Sequence, residues 1–199
     1  MLITSARLIG TPILSVQASS KIAEISEPII DPDTLTIIAF KVSGPLINKA
    51  YILDTNSVRE YSQYGMVIDS IEDLAEPDDI IKVAKVLDLR FNLINLKVET
   101  KKGTKLGKIT DYTLTDNDFI IQQIIVKRPL VKSFIDPTLT IHRREIVEVT
   151  DYKVIVKDEE KTIRARAEKE DFIPNFVNPF RGQDFAQSQT ETPADKDTE

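Results

Sequence analysis

An internal repeat is the feature that most restricts how this chain folds. The matching segments, first copy before second, are residues 20–27 and 104–111, 40–42 and 124–126, 58–61 and 146–149, and 64–68 and 152–156. The offset is 84 residues in the first two matches and 88 in the last two. An ordered series of matches with one change of offset indicates two copies of one unit. It also indicates an insertion of four residues in the second copy, between about Val126 and Ile146.

Each copy is predicted to be mainly β. Residues 35–42 and 119–126 are rich in β-branched side chains, and each follows a polar turn that is typical of a hairpin. Two shorter strands follow in each copy, and their predicted ranges are 52–61 and 66–68 in the first and 141–150 and 153–157 in the second. Several strands in about 70 residues favour a small antiparallel barrel, because closure removes the exposed strand edges.

The segment between the copies has the pattern of a helix. Apolar residues recur at positions 80, 83, 84 and 87, which is the spacing of one face of a helix. Two aspartates, Asp78 and Asp79, precede this stripe and suit a helix N-terminus. We expect a short helical connector that packs between the barrels; a helix that detaches to bind a partner is the alternative.

These patterns divide the chain into five regions. The C-terminal part is charged and then rich in phenylalanine, and its last stretch is polar and acidic, a composition typical of disorder. The predicted regions are residues 1–70 (barrel 1), 71–90 (helical connector), 91–158 (barrel 2), 159–181 (charged segment and Phe-rich extension) and 182–199 (disordered acidic tail).

Composition excludes several classes of site. The chain has no cysteine and a single histidine, His142, so a thiol nucleophile, a Cys-ligated metal and a multi-His metal site are excluded. Residues 116–118 (Asp-Asn-Asp) resemble the start of a calcium loop, but the glycine and the closing glutamate of such a loop are missing. We therefore expect no catalytic, cofactor-binding or metal-binding residues, and we interpret the protein as a non-enzyme.

The repeated segments resemble the PRC-barrel family. In the second copy, residues 105–111 (KLGKITD) match the family's pattern of a glycine between hydrophobic strand residues, followed by aspartate. In the first copy Ala23 stands in place of the glycine and Glu27 in place of the aspartate, while residues 29–33 (IIDPD) keep the Asp-Pro turn. The resemblance covers about residues 5–70 and 92–158. It implies two small antiparallel PRC-like barrels in tandem, and a binding and assembly role without catalytic residues.

The candidate partner-binding residues lie mostly in the second copy. Residues 1–90 carry 8 basic and 13 acidic side chains, whereas residues 91–170 carry 16 basic and 13 acidic ones. The insertion mixes cations with apolar residues, and the Phe-rich extension either wraps onto a barrel or docks a partner. The candidates are Lys127, Arg128, Lys132, Phe134, His142, Arg143, Arg144, Phe172, Phe176 and Phe180. The alternative for the insertion is a loop folded over the barrel end, with its apolar residues buried.

We expect a non-catalytic adaptor that mediates protein–protein assembly in the cytoplasm. The longest apolar runs are four residues, which is too short for a transmembrane helix. The apolar stretch at the N-terminus is broken by Gly10, Thr11 and Pro12, so we expect no export signal. Two alternatives stay open: a ribosome- or RNA-associated assembly factor of the RimM type, and a peripheral membrane-associated protein. The partner's identity and the oligomeric state do not follow from the sequence.

Overall fold

The computed structural model describes residues 1–45, 47–129 and 137–158, and this part of the chain is mainly β. The first half contains β1 (Leu2–Thr4), β2 (Pro12–Ser15), β3 (Ser20–Asp31), β4 (Thr36–Ser43), β5 (Tyr51–Asp54), β6 (Glu60–Ser62), β7 (Gly65–Ile68) and β8 (Leu74–Ala75). The helix α1 (Ile81–Asp88) follows. The second half contains β9 (Lys97–Thr100), β10 (Lys105–Thr115), β11 (Ile121–Lys127), β12 (Thr138–His142), β13 (Ile146–Val149) and β14 (Lys153–Val156).

The strands form two curled sheets with the same order. The first sheet runs β6-β7-β2-β3-β4-β5-β8, and the second runs β13-β14-β9-β10-β11-β12. Strand β1 is added to the second sheet through β10, where Ile3 lies opposite Leu114. The first few residues of the first copy therefore complete the sheet of the second copy.

The residue pairing within the two sheets confirms the internal repeat. Equivalent cross-strand pairs are Ile13–Ala23 and Val98–Gly107, Phe40–Leu53 and Ile124–Ile141, and Tyr61–Met66 and Val149–Val154. The offset between copies changes from 84 to 88 between β11 and β12, as predicted. The four extra residues therefore belong to the β11–β12 connection, and residues 130–136 of that connection lie outside the described part.

Two of the predicted strands are wrong in extent. The range 52–61 is divided into β5 and β6 by a 3-10 turn at Thr55–Ser57, and the range 141–150 is divided into β12 and β13 by a 3-10 turn at Arg143–Glu145. In the first case the side chain of Asp54 accepts a hydrogen bond from the backbone N–H of Asn56 at 2.7 Å. This local capping competes with strand geometry and bends the chain at that point.

The connector helix packs on the outer face of the first sheet, whereas the sequence predicted a connector packed between the barrels. Val83 is buried there against a small apolar cluster on β3, β4 and β5, which contains Ile29, Ile38, Ala39 and Ile52. The repeat places polar residues at the equivalent positions of the second copy, which are Thr113, Gln122, Gln123 and Thr140. The two copies thus differ on their outer faces because one of them lies under the helix.

The two copies meet across an approximate two-fold relation. Thr36 at the start of β4 forms an isolated antiparallel bridge with Ile120. Two reciprocal hydrogen bonds flank it: Ile37 N–H donates to the Phe119 carbonyl at 3.1 Å, and Ile121 N–H donates to the Leu35 carbonyl at 3.0 Å. Leu35 and Phe119 occupy equivalent positions, 84 residues apart, and both have positive φ, 46° and 53°. The same unusual backbone conformation in both copies is thus part of the contact between them.

Aromatic packing holds this contact together. The ring of Phe119, from the second copy, meets the ring of Phe40, from the first, edge to face at a centroid distance of 5.3 Å. It also meets Tyr61 at 6.4 Å. Phe119 is buried in a core cluster that draws side chains from both copies, and residues Met1–Glu159 form one compact unit.

Some predictions lie outside the described residues. These are the charged and Phe-rich extension at 159–181 and the disordered acidic tail at 182–199. Within the described part, none of the helices has the length and apolar character needed to cross a membrane.

Candidate functional site

Four lysines stand in one row across the second sheet. Lys108 on β10 lies directly opposite Lys127 on β11 on one side and Lys97 on β9 on the other. Lys97 in turn lies opposite Lys153 on β14. We call this row of Lys127, Lys108, Lys97 and Lys153 the lysine ladder.

The lysine ladder lies on the outer face of the sheet. Side chains of directly opposite residues project from the same face, and the neighbours Val98, Ile109 and Val126 are buried on the inner face. Three of the lysines are exposed and Lys153 is half-buried. Since neighbouring strands are about 4.8 Å apart, four strands give a row of cations about 14 Å long.

The lysine ladder does not stabilise the fold. Like charges directly opposite each other on neighbouring strands are destabilising. Lys153 is partly neutralised by Glu99, at 3.3 Å between Nζ and Oε2. Within the described residues, Lys97, Lys108 and Lys127 form no ion pair. As far as the described residues show, these three cations are uncompensated, and such a row attracts an anionic partner.

The first copy has no such row. The repeat places Ser43, Glu24, Pro12 and Gly65 at the four ladder positions, and Glu24 lies opposite Ser43 and Pro12 as Lys108 lies opposite Lys127 and Lys97. The shared scaffold therefore does not require cations at these positions. The lysine ladder is a property of the second copy alone.

Gly107 fixes the geometry of the strands beside the lysine ladder. Its φ is 149°, and a Cβ atom at this position would come within 2.0 Å of the Lys127 carbonyl oxygen. Only glycine allows β10 and β11 to approach this closely. The glycine of the sequence motif therefore serves the strand pairing that sets Lys108 opposite Lys127.

An exposed aromatic ring marks the β14 end of the lysine ladder. Tyr152 is 68% exposed, and the Lys153 ammonium lies 6.0 Å from its ring centroid. Such a contact is a weak cation–π interaction at an exposed site. The ring adds a flat, partly apolar surface beside the cations.

The structure places two of the predicted site residues, Lys127 and Arg128, at the β11 end of the lysine ladder and two others, His142 and Arg144, at the far end of β12. Lys127 belongs to it, and Arg128 follows directly on the chain. His142 is exposed at the end of β12, where its Nδ1 lies 3.4 Å from the amide nitrogen of Gln123, and Arg144 is exposed in the turn that follows. The remaining candidates lie outside the described residues, and they are Lys132, Phe134, Phe172, Phe176 and Phe180.

Arg143 has an internal role instead. Its guanidinium donates hydrogen bonds to the Leu35 carbonyl at 3.1 Å, to the Ile121 carbonyl at 3.3 Å and to the Thr34 carbonyl. These acceptors come from both copies, so Arg143 fastens one copy to the other. It forms one wall of a cleft of about 360 Å³ between the Pro32–Asp33 turn and β13.

Sequence reasoning missed three members of the lysine ladder, namely Lys97, Lys108 and Lys153. They are far apart in the chain, and only the pairing of β9 with β10 and β14 brings them into one row. The sequence could have indicated one pair of the row, Lys108 and Lys127, because the β10–β11 hairpin places these two lysines opposite each other.

The Asp-Asn-Asp turn is a structural feature. The carboxylate of Asp116 accepts a hydrogen bond from the N-terminal ammonium at 2.6 Å, and this contact holds the pKa of Asp116 below its usual value. The carboxylate of Asp118 accepts from the Ile120 N–H at 3.3 Å. In the described ranges, no group of three or more His, Cys, Asp or Glu side chains is arranged to hold a metal ion.

Comparisons with known proteins do not assign the chain to a family. No protein-family model matches the chain, and no curated protein matches it in sequence. The PRC-barrel resemblance stays a prediction.

Proposed function

We propose that the protein is a non-catalytic cytoplasmic adaptor built from two PRC-like barrels in tandem, and that it binds an acidic protein partner. The observation that carries this proposal is the lysine ladder. Its like-charge pairs weaken the fold, they have no counterpart in the first copy, and three of the four cations have no ion pair within the described residues. A destabilising feature that the scaffold does not need is typical of a functional site.

An acidic protein surface fits the lysine ladder by charge and by shape. Exposed cations in a line of about 14 Å attract carboxylates and steer their approach, while contacts at the centre of an interface supply most of the affinity. The half-buried Ile125 and Ile155 lie on the strands of the ladder and add apolar surface. The net charge of the whole chain is −6, so the positive face of the second copy orients a negative partner toward one side of the molecule.

The experiment that tests the proposal compares two charge-reversal variants. Lys108→Glu/Lys127→Glu removes the centre of the lysine ladder, and Lys21→Glu/Lys85→Glu makes the same change of charge on exposed lysines of the first copy and helix α1. Each is used as tagged bait in a nuclease-treated lysate, and captured proteins are measured by quantitative mass spectrometry. The proposal predicts that the wild type and the first-copy variant capture the same proteins. The ladder variant captures them at least about tenfold less.

Equal capture of those proteins by the ladder variant would contradict the proposal. Thermal melting of both variants is the control for folding. Neither variant replaces a buried residue, so both are expected to melt cooperatively.

RNA binding is the second candidate, and the exposed ring of Tyr152 beside Lys153 is the observation that favours it. Aromatic rings next to cations stack bases while the cations contact phosphates. If four phosphates are contacted, the affinity for a uridine oligonucleotide falls about 50-fold between about 50 and 200 mM salt. Fluorescence anisotropy measures this slope, and an absence of binding at the lower salt concentration rejects the RNA candidate.

A further inference from the structure

The outer edge of β12 carries no strand among the described residues. Of the strands that the structure describes, β12 ends the second sheet and is paired with β11 alone. Its counterpart in the first copy, β5, is covered on that edge by β8, which pairs Ala75 with Ile52 and Leu74 with Leu53. The two copies thus differ at this edge. In the first copy β8 covers it, and in the second copy none of the described strands does.

The pairing pattern shows which backbone groups point to this edge. The Arg128 N–H donates to the Pro137 carbonyl at 3.0 Å, and hydrogen-bonded and non-hydrogen-bonded pairs alternate along an antiparallel ladder. The backbone groups of Leu139 and Ile141 therefore point to β11, and those of Thr140 point away from it. Thr140 is equivalent to Ile52, which pairs with Ala75 of β8 in the first copy.

The residues around β12 differ in charge from those around β8. Strand β8 lies in an acidic segment, residues 71–79 (IEDLAEPDD), which has five carboxylates and one buried leucine, Leu74. The start of β12 is basic, with Lys127 opposite Thr138. The turn after β12 carries the exposed Arg144 and also Glu145, whose carboxylate accepts a hydrogen bond from the His142 N–H at 3.3 Å. A second copy that paired through its own β12 edge would bring Lys127 and its equivalents together there, whereas an acidic segment would bring opposite charges together.

We propose that the outer edge of β12 is a docking site for an extended acidic segment of a partner protein, which adds to the second sheet as β8 adds to the first. The added strand runs antiparallel to β12, and its backbone bonds the N–H and carbonyl of Thr140. An aliphatic side chain packs beside Ile141 as Leu74 packs beside Leu53. This inference rests on the proposed function and names the form of the partner, because strand addition is a common mode of peptide recognition.

The probe for the test is a fluorescein-labelled peptide with the sequence of residues 71–79, since this segment is the template within the chain. The control peptide carries Leu74→Ser, which keeps the length and the five carboxylates and removes the aliphatic anchor. The peptide is titrated against the full chain, and binding is followed by fluorescence anisotropy. In parallel, the amide signals of the ¹⁵N-labelled protein are followed by NMR.

The variant Thr140→Pro removes the outward N–H, and proline is tolerated on an edge strand where its nitrogen faces away from the sheet. The matched control, Thr140→Ala, keeps that N–H. We expect Thr140→Pro and the control peptide each to weaken binding about tenfold or more, as the loss of hydrogen bonds or of a buried side chain predicts. We expect Thr140→Ala to bind like the wild type, and the Thr140 amide to be among the most strongly shifted signals.

The outcomes separate this inference from the proposed function. If Lys108→Glu/Lys127→Glu abolishes binding while Thr140→Pro leaves it unchanged, the docking edge is overturned and the lysine ladder stands. If Thr140→Pro abolishes binding and the ladder variant does not, the docking edge stands and the ladder fails. Protection of the Thr140 amide from hydrogen exchange in the peptide-free chain would show that another segment of the chain already covers the edge, which overturns the inference without the use of any variant.

Discussion

The lysine ladder predicts that one charge reversal stabilises the protein while it removes binding. The change is Lys108→Glu, at the centre of the row between Lys97 and Lys127. The fold accommodates glutamate there, because Glu24 occupies the equivalent position of the first copy. A gain of stability together with a loss of binding is the expected result for a site maintained by function.

The size of the effect follows from the two cross-strand pairs. Each pair changes from repulsion to attraction, a change of about 0.5 kcal/mol for exposed charges in neighbouring strands. Two pairs give about 1 kcal/mol, which raises the melting temperature by about 2–4 °C in a protein of this size. The charges are exposed, so the effect depends on salt and largely disappears at about 1 M, where the Debye length is about 3 Å.

Differential scanning fluorimetry at low and high salt measures this shift. Lys108→Gln is the matched control, because it removes the repulsion without adding attraction and is expected to give about half the shift. Repulsion within the lysine ladder is refuted if Lys108→Glu melts at or below the wild-type temperature at low salt. It is also refuted if the full shift persists at about 1 M salt, since the cause would then not be electrostatic.

Three further predictions concern the fold that supports this surface. Phe119→Ala is expected to lower the free energy of unfolding by about 3–5 kcal/mol, because it removes the aromatic contact between the copies. Phe119→Leu is expected to lower it by less than about 1.5 kcal/mol, and urea unfolding measures both changes. Gly107→Ala is expected to lower the melting temperature and to shift the amide signals of β10 and β11, since the added Cβ meets the Lys127 carbonyl; unchanged spectra would contradict the close approach. The third prediction concerns pH. Burial raises the pKa of Asp31, but hydrogen bonds from Thr34, the Asp33 N–H and Lys82 have the larger effect, so the pKa of Asp31 lies below its usual value of 3.8. The stability that Asp31 contributes is thus present above that pH and lost as the pH falls through the folded value, and melting of Asp31→Asn is expected to depend less on pH in this range.

The repeat was predictable from the sequence because long strands carry strong patterns. The matching hydrophobic positions in β3 and β10 extend over eight residues, and the offset of 84 continues into β4 and β11. The short strands β1, β2, β8 and β9 were not predicted. Segments of two to four residues have little periodicity, and their pairing depends on a partner strand elsewhere in the chain.

The contact between the copies was not predictable because it depends on backbone geometry. Leu35 and Phe119 follow polar turns and belong, by their sequence, to ordinary hairpins. In the structure both adopt positive φ and hydrogen-bond the opposite copy. Arg143 was predicted to bind a partner on the basis of its charge alone. In the structure its guanidinium donates hydrogen bonds to three backbone carbonyl oxygens of the chain.

The candidate site was partly predictable. Net charge pointed to the basic second copy, where the lysine ladder lies, and Lys127 was among the predicted residues. The rest of the lysine ladder follows from the register of four strands, two of which, β9 and β14, run parallel although they are about 50 residues apart. A register of that kind is set by the packing of the whole copy and not by any local pattern.

Carbodiimide cross-linking in a nuclease-treated lysate tests the central claim most directly, because this reagent joins a lysine to a carboxylate in contact with it. Peptide mass spectrometry then identifies which lysines of the tagged protein are joined to another protein. We expect these links to be concentrated at Lys97, Lys108 and Lys127. Links concentrated at the exposed lysines of the first copy and the helix, namely Lys21, Lys49, Lys82 and Lys85, would contradict it.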